Sequence, residues 1–363
     1  MWTANLKGVP RAVNQHAVAI GNNIYSFYLS HEEKDFIDVY IFNSLSYEWH
    51  LVKTHVPSGG RQLTFFGCNV VAYGDYAYVY SGSICDRPLL SSSLSRFDAS
   101  TLTWTFLEMS GDVPRTGWHS ACTVGHRMYI IGGYPEGSSE HVYFLDLDAL
   151  KWHRVPATGD APTGLIYHST SAIGSRIYVW GGMVEHDLLA HNYCVRYLDT
   201  VTCTWVRLHV EGMAPECRAH HTSFVYKGEM YIFGGYSRHM GIQYADLHKY
   251  DPEKSFWTRV RPKRSGPWAH GCHACCVIGN RVFIIGGVGS KPIRGGQATG
   301  ANRELFPFYR LAELAFTKLH VLDFEPTLQT LCLVAIADSR VEYGLLPPII
   351  EKQIRAMKGD DSN

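Results

Sequence analysis

The sequence predicts an all-β fold, a six-bladed β-propeller followed by a short helical tail. Three observations carry this expectation. An apolar strand ending in two glycines recurs about every 50 residues. A lone tryptophan follows each of the first five copies, in constant phase. The composition, with 13% aromatic residues, 22 Tyr, 9 Trp and 34 Gly in 363 residues, favours strands and tight turns over helices.

The repeat copies appear in order along the chain. A weak copy, Ser26-Phe27-Tyr28-Leu29, has lost both glycines, and Val79-Tyr80-Ser81-Gly82 keeps one. Four full copies follow at Ile130-Ile131-Gly132-Gly133, Val179-Trp180-Gly181-Gly182, Ile232-Phe233-Gly234-Gly235 and Ile284-Ile285-Gly286-Gly287. The tryptophans are Trp49, Trp104, Trp152, Trp205 and Trp257. Segments such as Arg176 to Trp180 and Gln243 to Tyr250 alternate or run apolar over strand lengths. The glycines admit positive φ and close backbone approach where strands crowd an axis, and each Trp offers a large area to bury between blades. One blade cannot cover its own faces, so the blades must pack in a ring.

Closure of that ring falls to the N-terminus. The sixth copy has a strand Leu319-His320-Val321-Leu322-Asp323, like Leu247 to Asp251 of the fifth, but Gln329 stands where Trp257 would predict a tryptophan. Trp2-Thr3 followed by Val9-Pro10-Arg11 parallels Trp104-Thr105 followed by Val113-Pro114-Arg115. Residues 2 to 6 are therefore expected to complete the last blade and cover its open edge. The propeller spans 1–324 and the tail 325–363.

Between the tryptophan strand and the di-glycine strand lies a second recurring patch: Pro114-Arg115-Thr116-Gly117-Trp118-His119, Leu165-Ile166-Tyr167-His168, Arg218-Ala219-His220-His221 and Trp268-Ala269-His270. Large polar-aromatic residues at loop positions on a rigid scaffold suit recognition. The candidate substrate-binding residues are Arg115, Trp118, Tyr134, Tyr167, Arg218, Tyr236, Arg238 and Trp268; binding and packing roles are both open for them. For His119, His168 and His221 the favoured role is packing between blades. Residues 289–317 form a long insertion with a mild positive bias, open to reading as a lid or as plain loop.

Several chemistries are set aside. Basic and acidic residues number 33 each, which removes the broad attraction that nucleic acid or an anionic membrane requires. No segment reaches the length of a membrane span, and no secretory core opens the sequence. The ten Cys then read as free thiols, and the cytoplasm or nucleus is the expected location. His270, Cys272, His273, Cys275 and Cys276 make a single cluster without a second paired motif, on a strand that alternates faces, so no metal is expected. No nucleophile elbow, phosphate loop or HExxH occurs, and no cofactor is implied.

From Pro326 the pattern turns helical. Leu328, Cys332 and Ile336 fall on one helical face, with Pro326 or Thr327 at its start. After Tyr343-Gly344 a second segment places Leu346, Ile350 and Ile354 four apart, with Pro347 at its beginning.

These residues carry a family resemblance. The repeat length and di-glycines, for example Gly228-Glu229-Met230-Tyr231-Ile232-Phe233-Gly234-Gly235-Tyr236, resemble kelch repeats. Thr327-Leu328, Cys332 and Ile336 resemble an elongin-binding box; Leu346, Pro347, Ile350 and Ile354 resemble a cullin-2 box. Together they resemble the kelch-type substrate receptors of cullin-2 ubiquitin ligases. The resemblance implies a non-catalytic adaptor. Its propeller would bind a degron, and its tail would dock elongin B/C and cullin-2, with a RING subunit joined through the cullin. It also implies departures. Related readers of C-terminal degrons hold the carboxylate with arginines and a Ser-Trp pair, where this chain has Met183 and Leu188, then Ala219 and His220. The iron motif of nitrile-specifier kelch proteins is matched at Asp187 and His191 but not at Met183. The alternatives are a kelch interaction scaffold, cytoskeletal or chromatin-associated, and a metal-dependent propeller enzyme.

Overall fold

A computed structural model describes residues 1–7, 16–29, 35–56, 67–81, 93–135, 141–184, 187–289, 318–339 and 346–358. The insertion 290–317, residues 9–11 and the turn at 343–344 lie outside them. The described strands form six blades of four antiparallel strands, and in three of them a two-residue strand from the preceding linker adds a parallel fifth. Their innermost strands are His16–Ile20, Asn69–Tyr73, Ser120–Val124, Ser169–Ile173, Thr222–Tyr226 and Ala274–Ile278. Each touches the next in that order, and the sixth touches the first.

The sixth blade is built from both ends of the described chain. Strand Trp2–Lys7 pairs antiparallel with Lys318–Asp323, Leu6 opposite Leu319 and Trp2 opposite Leu322. The backbone N–H of Asp323 donates to the Met1 carbonyl at 2.9 Å.

The period-two pattern of the strands explains how the blades cohere. Met128 and Ile130 face the second blade, whereas Tyr129 and Ile131 face the fourth. One hydrophobic cluster thus fills each boundary between neighbouring blades. Trp104, Trp152, Trp205 and Trp257 are buried, three of them against a ring of the preceding blade, Trp104 on Phe27, Trp152 on Tyr80 and Trp257 on Trp180, while Trp49 is half-buried. Trp2 takes the same place on Phe233, their ring centroids 5.8 Å apart.

The di-glycines have an equally local cause. A Cβ on Gly132 would lie 2.6 Å from the Leu165 carbonyl and 2.7 Å from His168 of the next blade. A Cβ on Gly182 would lie 2.7 Å from the Cβ of His168 in its own blade. The second glycine also ties blades together, since Gly133 N–H donates to Leu165 O at 2.8 Å and Gly182 N–H to Arg218 O at 2.9 Å.

One expected strand is shorter than its pattern. Gln243 to Tyr250 divides into a two-residue ribbon, Ile242–Gln243, and a blade strand, Leu247–Asp251. The break arises because Tyr244 N–H turns back to Gly235 O and Asp246 is drawn to Arg218.

The tail forms two helices, α1 (Leu328–Asp338) and α2 (Pro348–Lys358). Thr327 caps α1, its hydroxyl accepting from Thr330 N–H at 3.1 Å. Pro348 opens α2, where a missing N–H costs nothing. Leu333, Val334 and Ala337 of α1 and Ile354, Ala356 and Met357 of α2 join the cluster between the sixth and first blades. No helix among the described residues is long and apolar enough to cross a membrane.

Candidate functional site: a loop rim and a helical tail

Antiparallel pairing sets which loops share an end of the ring. The innermost strands begin, and the di-glycine strands finish, on one rim; the hairpins closing the two inner strands lie on the other. On the first rim the recurring patch rises as short ribbons. Thr116–Gly117 pairs with Tyr134–Pro135, Leu165–Ile166 with Met183–Val184, and His270–Gly271 with Val288–Gly289, while Ala219 bridges Tyr236. All eight predicted binding residues lie in these ribbons or beside them.

The residue preceding each blade histidine adopts a left-handed conformation: Trp118 (φ 56), Tyr167 (φ 58), His220 (φ 57) and Cys272 (φ 56). Bulky residues rarely sit there. Inter-blade hydrogen bonds hold them: Trp118 N–H donates to Gly67 O, His220 N–H to Tyr167 O and Cys272 N–H to His220 O, at 3.0–3.1 Å. The rings consequently form an arc. Trp118 and Tyr167 lie 5.9 Å apart between centroids, and Tyr167 and His220 4.1 Å apart. Ile166, Met183 and Ala219 make a buried apolar floor under Trp118 and Tyr167. The side chain of Leu188 is outside the described residues, as are those of Asp187 and His191.

The structure brings Trp118 and Tyr167 together and leaves Arg115, Tyr134 and Trp268 exposed, Trp268 beside the ribbon of the sixth blade rather than in the arc. Tyr236 and Arg238 are half-buried neighbours on the fifth ribbon. His220 belongs to the arc and was not among the predicted binding residues. Its signal was available, because it shares the register of Trp118 and Tyr167.

Arg218 corrects the prediction. Its side chain is fully buried and pairs with both carboxylate oxygens of Asp246, Nη2 to Oδ2 at 3.2 Å. Nε donates to Glu216 O at 2.7 Å, Nη1 to Gly234 O at 3.2 Å, and the Tyr244 ring stacks 3.6 Å from the guanidinium carbon. His248 Nε2 meets Asp246 Oδ2 at 3.0 Å. Burial works to raise the Asp246 pKa, but hydrogen bonds from His248 and Arg218 prevail and hold it below the usual carboxylate range. The guanidinium is spent inside the fold and offers nothing to a ligand.

The blade histidines link neighbours. His168 Nε2 bonds Ser120 Oγ at 2.7 Å, His221 Nε2 bonds Ser169 Oγ at 2.8 Å, and His273 Nε2 bonds Thr222 Oγ1 at 2.9 Å. Burial pushes His119 down to about 4 and His168 down to about 3, so both rings are neutral. His270, in the sequence cluster with Cys272, His273, Cys275 and Cys276, bonds the Trp268 carbonyl through Nδ1. No group of three or more metal-ligating side chains among the described residues is placed to hold an ion.

On the tail, α1 is apolar on two faces. Leu333, Val334 and Ala337 face the ring, whereas Leu328 is 77% exposed, Leu331 43% exposed and Cys332 exposed. Ile336 is partly buried against the ring cluster. Leu346 and Pro347, just before α2, and Ile349 in its first turn are exposed, and Ile350 is half-buried. Ile354 is fully buried against the propeller, so of the four predicted cullin-contact residues it is the one that anchors the helix instead.

The comparisons with known proteins agree with this architecture. Residues 67–287 match the KLHDC2/KLHL20/DRC7 Kelch-repeats domain. The chain is 33% identical to Kelch domain-containing protein 3 of Bos taurus over 377 residues, covering 98% of this chain and 95% of that protein. The same identity and coverage hold for Kelch domain-containing protein 3 of Homo sapiens. Host cell factor 2 of Homo sapiens is 27% identical over 244 residues, 61% of this chain and 30% of that protein. The chain belongs to the kelch-repeat propeller family, whose rings serve protein interaction.

Proposed function

We propose that the chain is the substrate-recognition subunit of a cullin-2/elongin B/C ubiquitin ligase, presenting a degron-bearing protein for ubiquitination by other subunits. The observation that carries this reading is the second apolar face of α1. A helix that served only to pack on the ring would need one such face, yet Leu328, Leu331 and Cys332 stand in solvent. A short apolar helix face seats in a hydrophobic groove through residues spaced three and four apart. Leu328 supplies the anchor for elongin C, Cys332 permits close approach, and Ile336 borders the contact. Leu346, Pro347 and Ile350 meet cullin-2, with a RING subunit joined through it, while Ile354 fixes the helix. Clients are held at the opposite rim by Arg115, Trp118, Tyr134, Tyr167, Tyr236, Arg238 and Trp268. The chain itself positions and does not catalyse.

A second reading, a kelch scaffold with a purely structural tail, draws support from the packing of Ile336 and Ile354. Co-purification separates the two. Elongin C is expected with the wild type and not with Leu328→Ala/Cys332→Ala; equal recovery with both, or with neither, contradicts the ligase reading.

A further inference from the structure

Among the described residues, the linkers leaving the second, third and fourth blades run parallel beside the outermost strand of the next blade. Each carries a left-handed glycine seven residues after the tryptophan: Gly111, Gly159 and Gly212, at φ 84, 87 and 85. A Cβ at any of them would strike the carbonyl of the neighbouring Trp152, Trp205 or Trp257. The fifth blade has Arg264 at this position, also left-handed, at φ 65. Here too the linker runs against the closing strand, Trp2 N–H donating to Lys263 O at 3.0 Å. A long side chain in this conformation is disfavoured, so an arginine where the repeat uses glycine requires a compensating role.

That role is visible in its partners. Arg264 Nη2 lies 2.8 Å from Asp338 Oδ1, at the end of α1, and donates to Met357 O in the last turn of α2 at 3.1 Å. Nη1 reaches Trp2 O at 3.5 Å. The last turn of α1 holds no basic residue, and an aspartate there opposes the helix dipole. The Met357 carbonyl is among those a helix end leaves without an internal partner. The two helices thus bring their negative ends to one guanidinium, which also touches the closing strand.

We propose that Arg264 is a positioning residue. It clasps the C-terminal ends of both tail helices to the linker of the fifth blade and to the closing strand of the sixth, and so fixes where the exposed face of α1 stands relative to the ring. The clasp holds whatever partner the tail takes. A second tie, Lys352 to Glu48, secures the middle of α2 to the first blade.

Hydrogen exchange on the full chain tests this. Arg264→Gly restores the residue that three other blades use at this backbone position, so the ring folds. Amides of Leu328–Asp338 and Pro348–Lys358 are expected to exchange at least tenfold faster, with the innermost strands of blades two to four unchanged. Arg264→Lys keeps the charge without the fork and is expected to give the same pattern at smaller size. Exchange of both helices within twofold of wild type in either variant overturns the proposal. So does equal acceleration across all six blades, which would make Arg264 a general stability residue.

Discussion

The guanidinium of Arg218 satisfies Asp246, two backbone carbonyls and the face of Tyr244, all within the fold. Arg218→Ala leaves Asp246 partly buried without its counter-charge, a loss of about 3–5 kcal/mol for a buried pair. The variant is expected to melt markedly lower; a wild-type midpoint in a thermal scan would return Arg218 to the rim's binding surface. Sequence spacing placed Arg218 at the correct rim but gave no sign of Asp246, which lies 28 residues away, just before the strand Leu247–Asp251. The histidines were readable for the opposite reason. They repeat in register with Ser120, Ser169 and Thr222, and a repeated hydroxyl–imidazole pair is what identical blade contacts require. His220 was legible through the register it shares with Trp118 and Tyr167, although its identity alone does not announce a left-handed backbone.

At the level of strands and helices, the two ends of the described chain act together. Strand Trp2–Lys7 completes the sixth blade, and α2 packs on it. Trp2→Ala removes the ring buried on Phe233, at a cost of about 3–5 kcal/mol, and deletion of Met1–Lys7 is expected to lower the thermal midpoint sharply. An unchanged midpoint after deletion would refute closure by this strand. The tail divides by face. Leu333→Ala and Ile354→Ala should each destabilise by about 2–5 kcal/mol, whereas exposed Leu328→Ala should stay within about 0.5 kcal/mol. Chemical denaturation of the three variants checks that ordering. The missing tryptophan after Asp323 made the closure legible in sequence. The four-residue spacing of the tail marked its helices but not which side of each is buried, since α1 is apolar on both.

The ring as a whole carries a pH dependence. His119 titrates near 4 and His168 near 3 when folded, burial being the main cause; burial also holds His221 and His273 well below their ordinary value. Unfolded histidine titrates near about 6.5, so below that pH the unfolded chain binds more protons. The stability these rings contribute is complete above about pH 6.5 and declines as pH falls toward 4. Thermal midpoints across that interval should fall steadily, and a flat profile would show the rings to be protonated in place. The same ring separates two working ends: ribbons of aromatic residues on one rim, and a tail that departs from the other after Asp323. Hydrogen exchange of the full chain with and without purified elongin B/C tests this division most directly. The account predicts new protection confined to α1 and the start of α2, with the ribbons around Trp118, Tyr167 and Tyr236 unchanged. Protection on those ribbons, or none anywhere at saturating adaptor, would contradict it.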